Sequence, residues 1–291
     1  MKKNLAILSL LFFIVIAITG YKITRTPAEN IQTVETLDFV QKELDHLDKN
    51  SLVIFDIDDT LITPIDSIFH VKSLWQSLLL YFEYMKQTGD ILLSRIYHFA
   101  NTAFFHADFQ LIDPSSPALI KKLQKKGVKV IAFTATITDE FGDIQSVEDL
   151  RIRHLAQVGI NLSKAFRKIP FLVLDKAFSE HPPLFKQGIL FANLGKKSGR
   201  KEKGPVLAAF LKRINFTPNR IIYVDDTRHH LEDTEKALEP MGIPFIGLHY
   251  MGSDKFLTHI DMSVAREQIR QLVQHNEWIP EHSLITTVNH P

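Results

Sequence analysis

From residue 51 onward the chain alternates short, densely apolar runs with longer amphipathic stretches. Ser51–Phe55 (SLVIF) is apolar at both alternations after its serine, the pattern of a strand buried on two faces, and acidic residues end it. Runs of the same kind recur at Val128–Phe133, Gly188–Ala192, Arg220–Val224 and Ile243–Gly247. Between them Pro117–Lys125, Ser146–Val158, Pro205–Ile214 and His230–Leu238 carry apolar residues at helical spacing. Strands alternating with helices predict an α/β fold, a doubly wound parallel sheet covered on both faces. Ligands of such sheets bind outside the carboxyl ends of the strands, so the residues after each apolar run are the ones to inspect.

Three segments break this rhythm. Residues 21–33 are polar and read as a connector, after which Val34, Leu37, Val40 and Leu44 predict a helix over Val34–Leu47. About 55 residues separate the first strand from the helix before the second, far more than a crossover needs. Within this 62–113 insertion, Ser67–Gln87 and Asp90–Phe105 look helical, and Phe69, Trp75, Tyr81, Phe82, Phe99, Phe104, Phe105 and Phe109 supply a small core. The expectation is a helical cap interrupting a core made of residues 33–61 and 114–285. Ile169–Phe191 holds two apolar runs around Ser179–Pro183 and reads as an added β-hairpin.

The N-terminus is a separate object. Lys2 and Lys3 precede an apolar run from Leu5 to Thr19, the layout of a secretory signal. At 15 residues the run is short for a spanning helix, which needs about 20. Residues 1–20 are therefore read as an export signal, with retention as a membrane anchor the alternative, and the expected location is the periplasm, the envelope or outside the cell. Composition narrows the rest. The 34 Lys and Arg nearly balance the 33 Asp and Glu, so the basic surplus of a nucleic-acid binder is missing. Zero cysteines exclude disulfides, thiolate metal sites and cysteine nucleophiles.

Polar groups follow the apolar runs in a pattern that carries chemistry. Asp56-Ile57-Asp58-Asp59-Thr60 follows the first strand, Thr134-Ala135-Thr136 the second, and Asp225-Asp226-Thr227 the fourth. The basic stretch Lys196–Lys203 opens the helix near Pro205. Phosphoryl transfer through a carboxylate needs such parts: a nucleophile, a hard divalent cation on oxygen ligands, a hydroxyl and an ammonium for the phosphoryl oxygens, and a second carboxyl to move protons. For these roles the chain offers Asp56, Asp226, Thr134, Lys203 and Asp58.

This order resembles the haloacid dehalogenase (HAD) superfamily of aspartate-dependent phosphotransferases, over residues 51 to about 248. The resemblance implies a HAD-like core, Asp56 as nucleophile, and Asp58 as general acid and base. It implies Mg2+ held by Asp56, by the Asp58 backbone carbonyl and by Asp226, with Asp225 supporting Asp226. Thr134 and Lys203 would bind the phosphoryl group, with Lys201 in reserve. FDIDDT (residues 55–60) is also similar to the opening motif of class B acid phosphatases, while an exported bacterial HAD-like family is the closer match overall. The expected substrate is a small-molecule phosphomonoester, with no nucleic acid; the alternatives are a phosphotransferase and an idle HAD-like scaffold of the envelope. Asp59 reads as a helix N-cap, Ser146–Asp149 as a capping box, and His229 and His230 as surface residues outside the site.

Overall fold

The computed structural model describes residues 30–70, 83–89, 93–174, 181–195, 202–256, 260–275 and 277–288. The N-terminal apolar run, Trp75, Tyr81, Phe82, Lys196, Lys197, Arg200 and Lys201 lie outside the described residues. In chain order the strands are β1 (Ile31–Val34), β2 (Ser51–Phe55), β3 (Ile62–Pro64), β4 (Phe109–Leu111), β5 (Lys129–Thr134), β6 (Phe171–Val173), β7 (Leu184–Lys186), β8 (Ile189–Phe191), β9 (Arg220–Asp225) and β10 (Phe245–Tyr250). All but β3 and β4 join one sheet, ordered β1, β10, β9, β2, β5, β8, β7, β6. Pairing is parallel from β1 through β8, and β7 and β6 add an antiparallel extension. The runs predicted as a hairpin on either side of Ser179–Pro183 are β6 and β7, which pair antiparallel, and β8 follows as a second antiparallel partner of β7 and a parallel partner of β5.

Strict alternation explains the buried strands. Val53 and Phe55 of β2, Val130 and Ala132 of β5, and Ile222 and Val224 of β9 point into one core. Their neighbours Leu52, Ile54, Ile131, Phe133, Ile221 and Tyr223 point into the other. Helices α3 (Ser116–Lys125) and α4 (Val147–Gln157) cover the first face through Leu119, Ile120, Leu123 and Leu155. Helices α5 (Gly204–Arg213) and α6 (Arg228–Leu238) cover the second through Val206, Leu207, Phe210, Leu211, Leu231 and Leu238. From β2 the chain goes to β5 and β8 on one side, while β9 and β10 lie on the other. The switch point, and hence the crevice, falls at the carboxyl end of β2.

Two expectations change. The connector read over residues 21–33 ends in strand β1, and the helix predicted over Val34–Leu47 is present but shorter, as α1 (Asp38–Glu43) and a 3-10 turn at Leu44–His46. Ile31 pairs with Gly247 of β10, where a Cβ would meet Ile31 Cγ1 at 3.0 Å, so backbone pairing along that open edge draws the end of the connector into the sheet. The insertion is not purely helical either. It opens and closes with the antiparallel pair β3–β4, Ile62 opposite Leu111, which forms its neck. Beyond that neck stand a 3-10 turn at Ser67–Phe69, helical residues 83–88 and helix α2 (Leu93–His106). The C-terminal helices α7 (Met262–His275) and α8 (Glu281–Val288) are tied to the insertion. Asp66 accepts hydrogen bonds from Trp278 Nε1 at 2.8 Å and from the Glu281 N–H at 2.6 Å.

Candidate functional site

The residue after β2, the end of β5, the end of β9 and the start of α5 meet at one place. Lys203 stands immediately before α5, and its buried ammonium is the hub. It donates to Asp56 Oδ1 at 2.7 Å, to Asp225 Oδ2 at 2.9 Å, and to the Phe133 carbonyl and the Tyr223 hydroxyl at 3.1 Å each. Burial alone would weaken the charged ammonium, but Asp225 and Asp56 outweigh that and hold it above the ordinary lysine range. Asp233 of α6 fixes the geometry from behind. Its Oδ2 accepts the Lys203 N–H at 2.7 Å and the Gly204 N–H at 3.3 Å, capping α5 from a neighbouring helix.

The carboxylates differ in their engagement. Both oxygens of fully buried Asp225 are taken: Oδ1 accepts the Thr227 N–H at 2.8 Å and lies 3.3 Å from His230 Nδ1, and Oδ2 accepts from Lys203 and from Tyr223. Burial pushes Asp225 up, but Lys203 and then His230 pull harder, leaving it at about 2. Asp56 has one oxygen on Lys203, and the second has no hydrogen-bond partner among the described residues. Burial drives Asp56 well above the usual carboxylate range. Lys203 opposes this, while Asp225, Asp226 and Asp58 add to it. Carboxylate oxygens of Asp56, Asp225 and Asp226 lie within 4.8 Å of one another. Three hard anionic oxygens beside an open face suit a divalent cation such as Mg2+.

The remaining expected residues fall at or beside this point. Thr134 ends β5, one strand over from Asp56, and its hydroxyl shares a 2.8 Å hydrogen bond with that of Thr136 and accepts the Thr136 N–H at 3.1 Å. Thr60 ties the first acidic run to the last, its Oγ1 accepting the Asp226 N–H at 3.2 Å. Asp58 turns away from the carboxylate cluster and pairs with the guanidinium of Arg151 on α4.

Asp59 is not a helix cap. It adopts a left-handed φ of 55° in a tight turn leading to β3, donates its N–H to the Ile62 carbonyl and accepts from the Thr63 hydroxyl at 3.0 Å. Ser146 does cap α4, accepting the Asp149 N–H at 3.2 Å. His230, read from the sequence as a surface residue, instead touches Asp225. Arg151, Tyr223 and Asp233 went unnoticed in the sequence. For Arg151 a signal existed: with Val147, His154 and Leu155 it occupies one helical stripe, and all four are buried.

The chain is 23% identical over 289 residues to an uncharacterised protein of Rickettsia prowazekii, covering 99% of this chain and 100% of that one. It is also 23% identical over 229 residues to a Chlamydia trachomatis protein named "Putative outer membrane protein", covering 78% of each. Among solved structures, a HAD family hydrolase of Salmonella enterica serovar Typhi matches 82% of this chain and 85% of its own, with 16% identity and a TM-score of 0.34. Among the described residues no helix is long and apolar enough to cross a membrane. A family model matches residues 33–282, from within β1 into α8, and the chain accordingly belongs to the family described as "Protein of unknown function (DUF2608)".

Proposed function

We propose that this chain is an exported, Mg2+-dependent phosphomonoester hydrolase that works through an aspartyl-phosphate on Asp56. The observation that carries the reading is the Asp56–Lys203–Asp225 array: a buried carboxylate is held by an ammonium on one oxygen, and its other oxygen has no hydrogen-bond partner among the described residues. That free oxygen attacks phosphorus, and the bond from phosphorus to the ester oxygen breaks as Asp58 gives the departing alkoxide its proton. Water then attacks the phosphorus of the aspartyl-phosphate, Asp58 takes a proton from it, and inorganic phosphate leaves with Asp56 regenerated. Lys203 and Thr134 hold the phosphoryl oxygens. A divalent cation on Asp56 and Asp226 would neutralise charge on the transferring group, with Asp225 held in support by its own hydrogen bonds. The Lys2–Thr19 pattern and the names of the chlamydial relatives support an envelope location.

The test is rapid-quench mass spectrometry with p-nitrophenyl phosphate and Mg2+. Asp58→Asn should accumulate phosphate on the peptide containing Asp56, and Asp56→Asn should never show it. Loss of the proton donor typically costs about 10²–10⁴ in rate. Full turnover by Asp56→Asn, after excluding deamidation, would overturn the mechanism. No phosphate release by the wild type across a broad panel of phosphomonoesters, with metal binding intact, would instead point to a scaffold.

A further inference from the structure

We infer that Arg151 is the positioning residue for Asp58, clamped in place by the insertion; this rests on the phosphatase reading and deepens it. Arg151 is buried, and its two terminal nitrogens are already engaged by Asp58 and His154. Its Nη2 pairs with an Asp58 oxygen, while the Asp58 side chain remains 35% exposed. A carboxylate next to a nucleophile can swing about two side-chain bonds, and a planar guanidinium fixes it more firmly than a single neutral donor would. A fully buried guanidinium is costly where it only fills space, since an apolar side chain packs as well, and here Nε is left without a hydrogen-bond partner. The site therefore tolerates an imperfectly satisfied cation, which is understandable if its contact with Asp58 is what counts.

Everything around Arg151 holds it against Asp58. Its Nη1 donates to His154 Nδ1 at 3.2 Å. His154 also hydrogen-bonds the Phe105 backbone of α2, and burial together with the Arg151 charge keeps the imidazole neutral, so Nδ1 remains an acceptor. The rings of Phe104 and Phe109, from α2 and β4, flank the guanidinium carbon at 5.7 and 5.1 Å, and Phe109 packs on His154 with centroids 4.4 Å apart. The insertion thus supplies the walls of the socket, and α4 supplies the arginine. Aromatic residues whose sequence pattern suggested only packing within the insertion reach, through Arg151, the side chain assigned to proton transfer.

The experiment compares Arg151→Met and Arg151→Lys in the full chain with Mg2+, using p-nitrophenyl phosphate and glycerol 2-phosphate. Nitrophenolate leaves without a proton and an alkoxide does not. Arg151→Met should therefore lose up to about 100-fold in kcat/KM, which reports only the steps through phosphorylation of Asp56, on the alkyl ester, the scale of a misplaced catalytic group, and far less on the aryl ester. Arg151→Lys should recover part of the loss. In an Asp58→Asn background, Arg151→Met should add nothing further. Crystals of metal-free Arg151→Met should show Asp58 rotated or split between conformers. Equal losses on both esters, losses that add to those of Asp58→Asn, or an unmoved Asp58 would overturn the inference while leaving the phosphatase reading intact. An Asp58→Asn variant with no preference between the two esters would instead remove the acid role of Asp58, and the inference with it.

Discussion

Lys203→Met is the sharpest test of the buried charge array. Methionine keeps the length and apolar stem of the side chain and removes only the ammonium. In the native protein Nζ stands 2.7 Å from Asp56 and 2.9 Å from Asp225. At an effective dielectric of about 20, each contact is worth about 6 kcal/mol of gross attraction, most of it offset by the cost of burying the charges. What remains is the penalty of leaving two buried carboxylates without their cation, about 3–5 kcal/mol. That is a large part of the about 5–15 kcal/mol that holds a domain folded, and for a chain of this size it corresponds to roughly 6–20 °C in Tm. Urea unfolding followed by circular dichroism, in chelator-treated buffer, measures it directly. Mg2+ should then raise the stability of the variant more than that of the wild type, because the ion meets carboxylates that have lost their partner. A variant within about 1 kcal/mol of wild type, or one with no larger response to Mg2+, would show that the ammonium is not the hub of the site.

Two further outcomes follow from single contacts. His154 is held down to about 3 by burial and then by Arg151; the unfolded chain therefore binds its proton first, and stability is lost as pH falls from about 6.5 toward 3. Urea midpoints of His154→Gln against wild type should show a shallower acid slope, by up to about 1.4 kcal/mol per pH unit, and parallel slopes would refute the assignment. At Gly204 an added Cβ would meet the Asp233 carbonyl oxygen at 2.3 Å and backbone of Thr234 at 2.8 Å. Gly204→Ala should push α5 off α6, cost about 1–3 kcal/mol, and slow phosphorylation of Asp56 by displacing Lys203; unchanged stability would mean that the two helices have room to separate.

Legibility in the sequence tracked how many physical constraints each segment obeyed at once. Strands β2, β5 and β9 were readable because both of their faces are buried, so the apolar signal is unbroken and the chemistry must begin where it stops. Asp56, Asp225, Asp226, Thr134 and Lys203 sit at those stops or at the following helix start. Strand β1 was hidden because Ile31-Gln-Thr-Val34 ends a polar connector and only the open edge of β10 makes it a strand. Strands β3 and β4 are three residues each, too short to show an alternation. Asp233 and Tyr223 acquire their roles from Lys203, 30 and 20 positions away respectively, contacts that no local pattern encodes. Arg151 reaches Asp58 across 93 positions. In Leu150-Arg-Ile-Arg-His154 it reads as one more exposed cation unless the helical stripe is drawn.

The charges of the site also argue for the cation that completes it. Asp56, Asp58, Asp225 and Asp226 contribute four formal negative charges, and Lys203 and Arg151 two positive ones, a difference of 4 − 2 = 2 in favour of the negative. A phosphomonoester dianion entering this crevice would meet net repulsion in a medium less polar than water, where charges act at full reach. The upward push on Asp56 registers the same excess, since the charges of Asp225, Asp226 and Asp58 all add to the effect of burial there. A protonated Asp56 would be a poor nucleophile. Asp56 and Asp226 would hold a divalent ion whose charge would cancel the excess of two, favour the ionised form of Asp56 and remove the repulsion. Lys203 cannot do this alone because Asp225 and Asp56 already share it. Arg151 cannot either, because its guanidinium is already paired with Asp58.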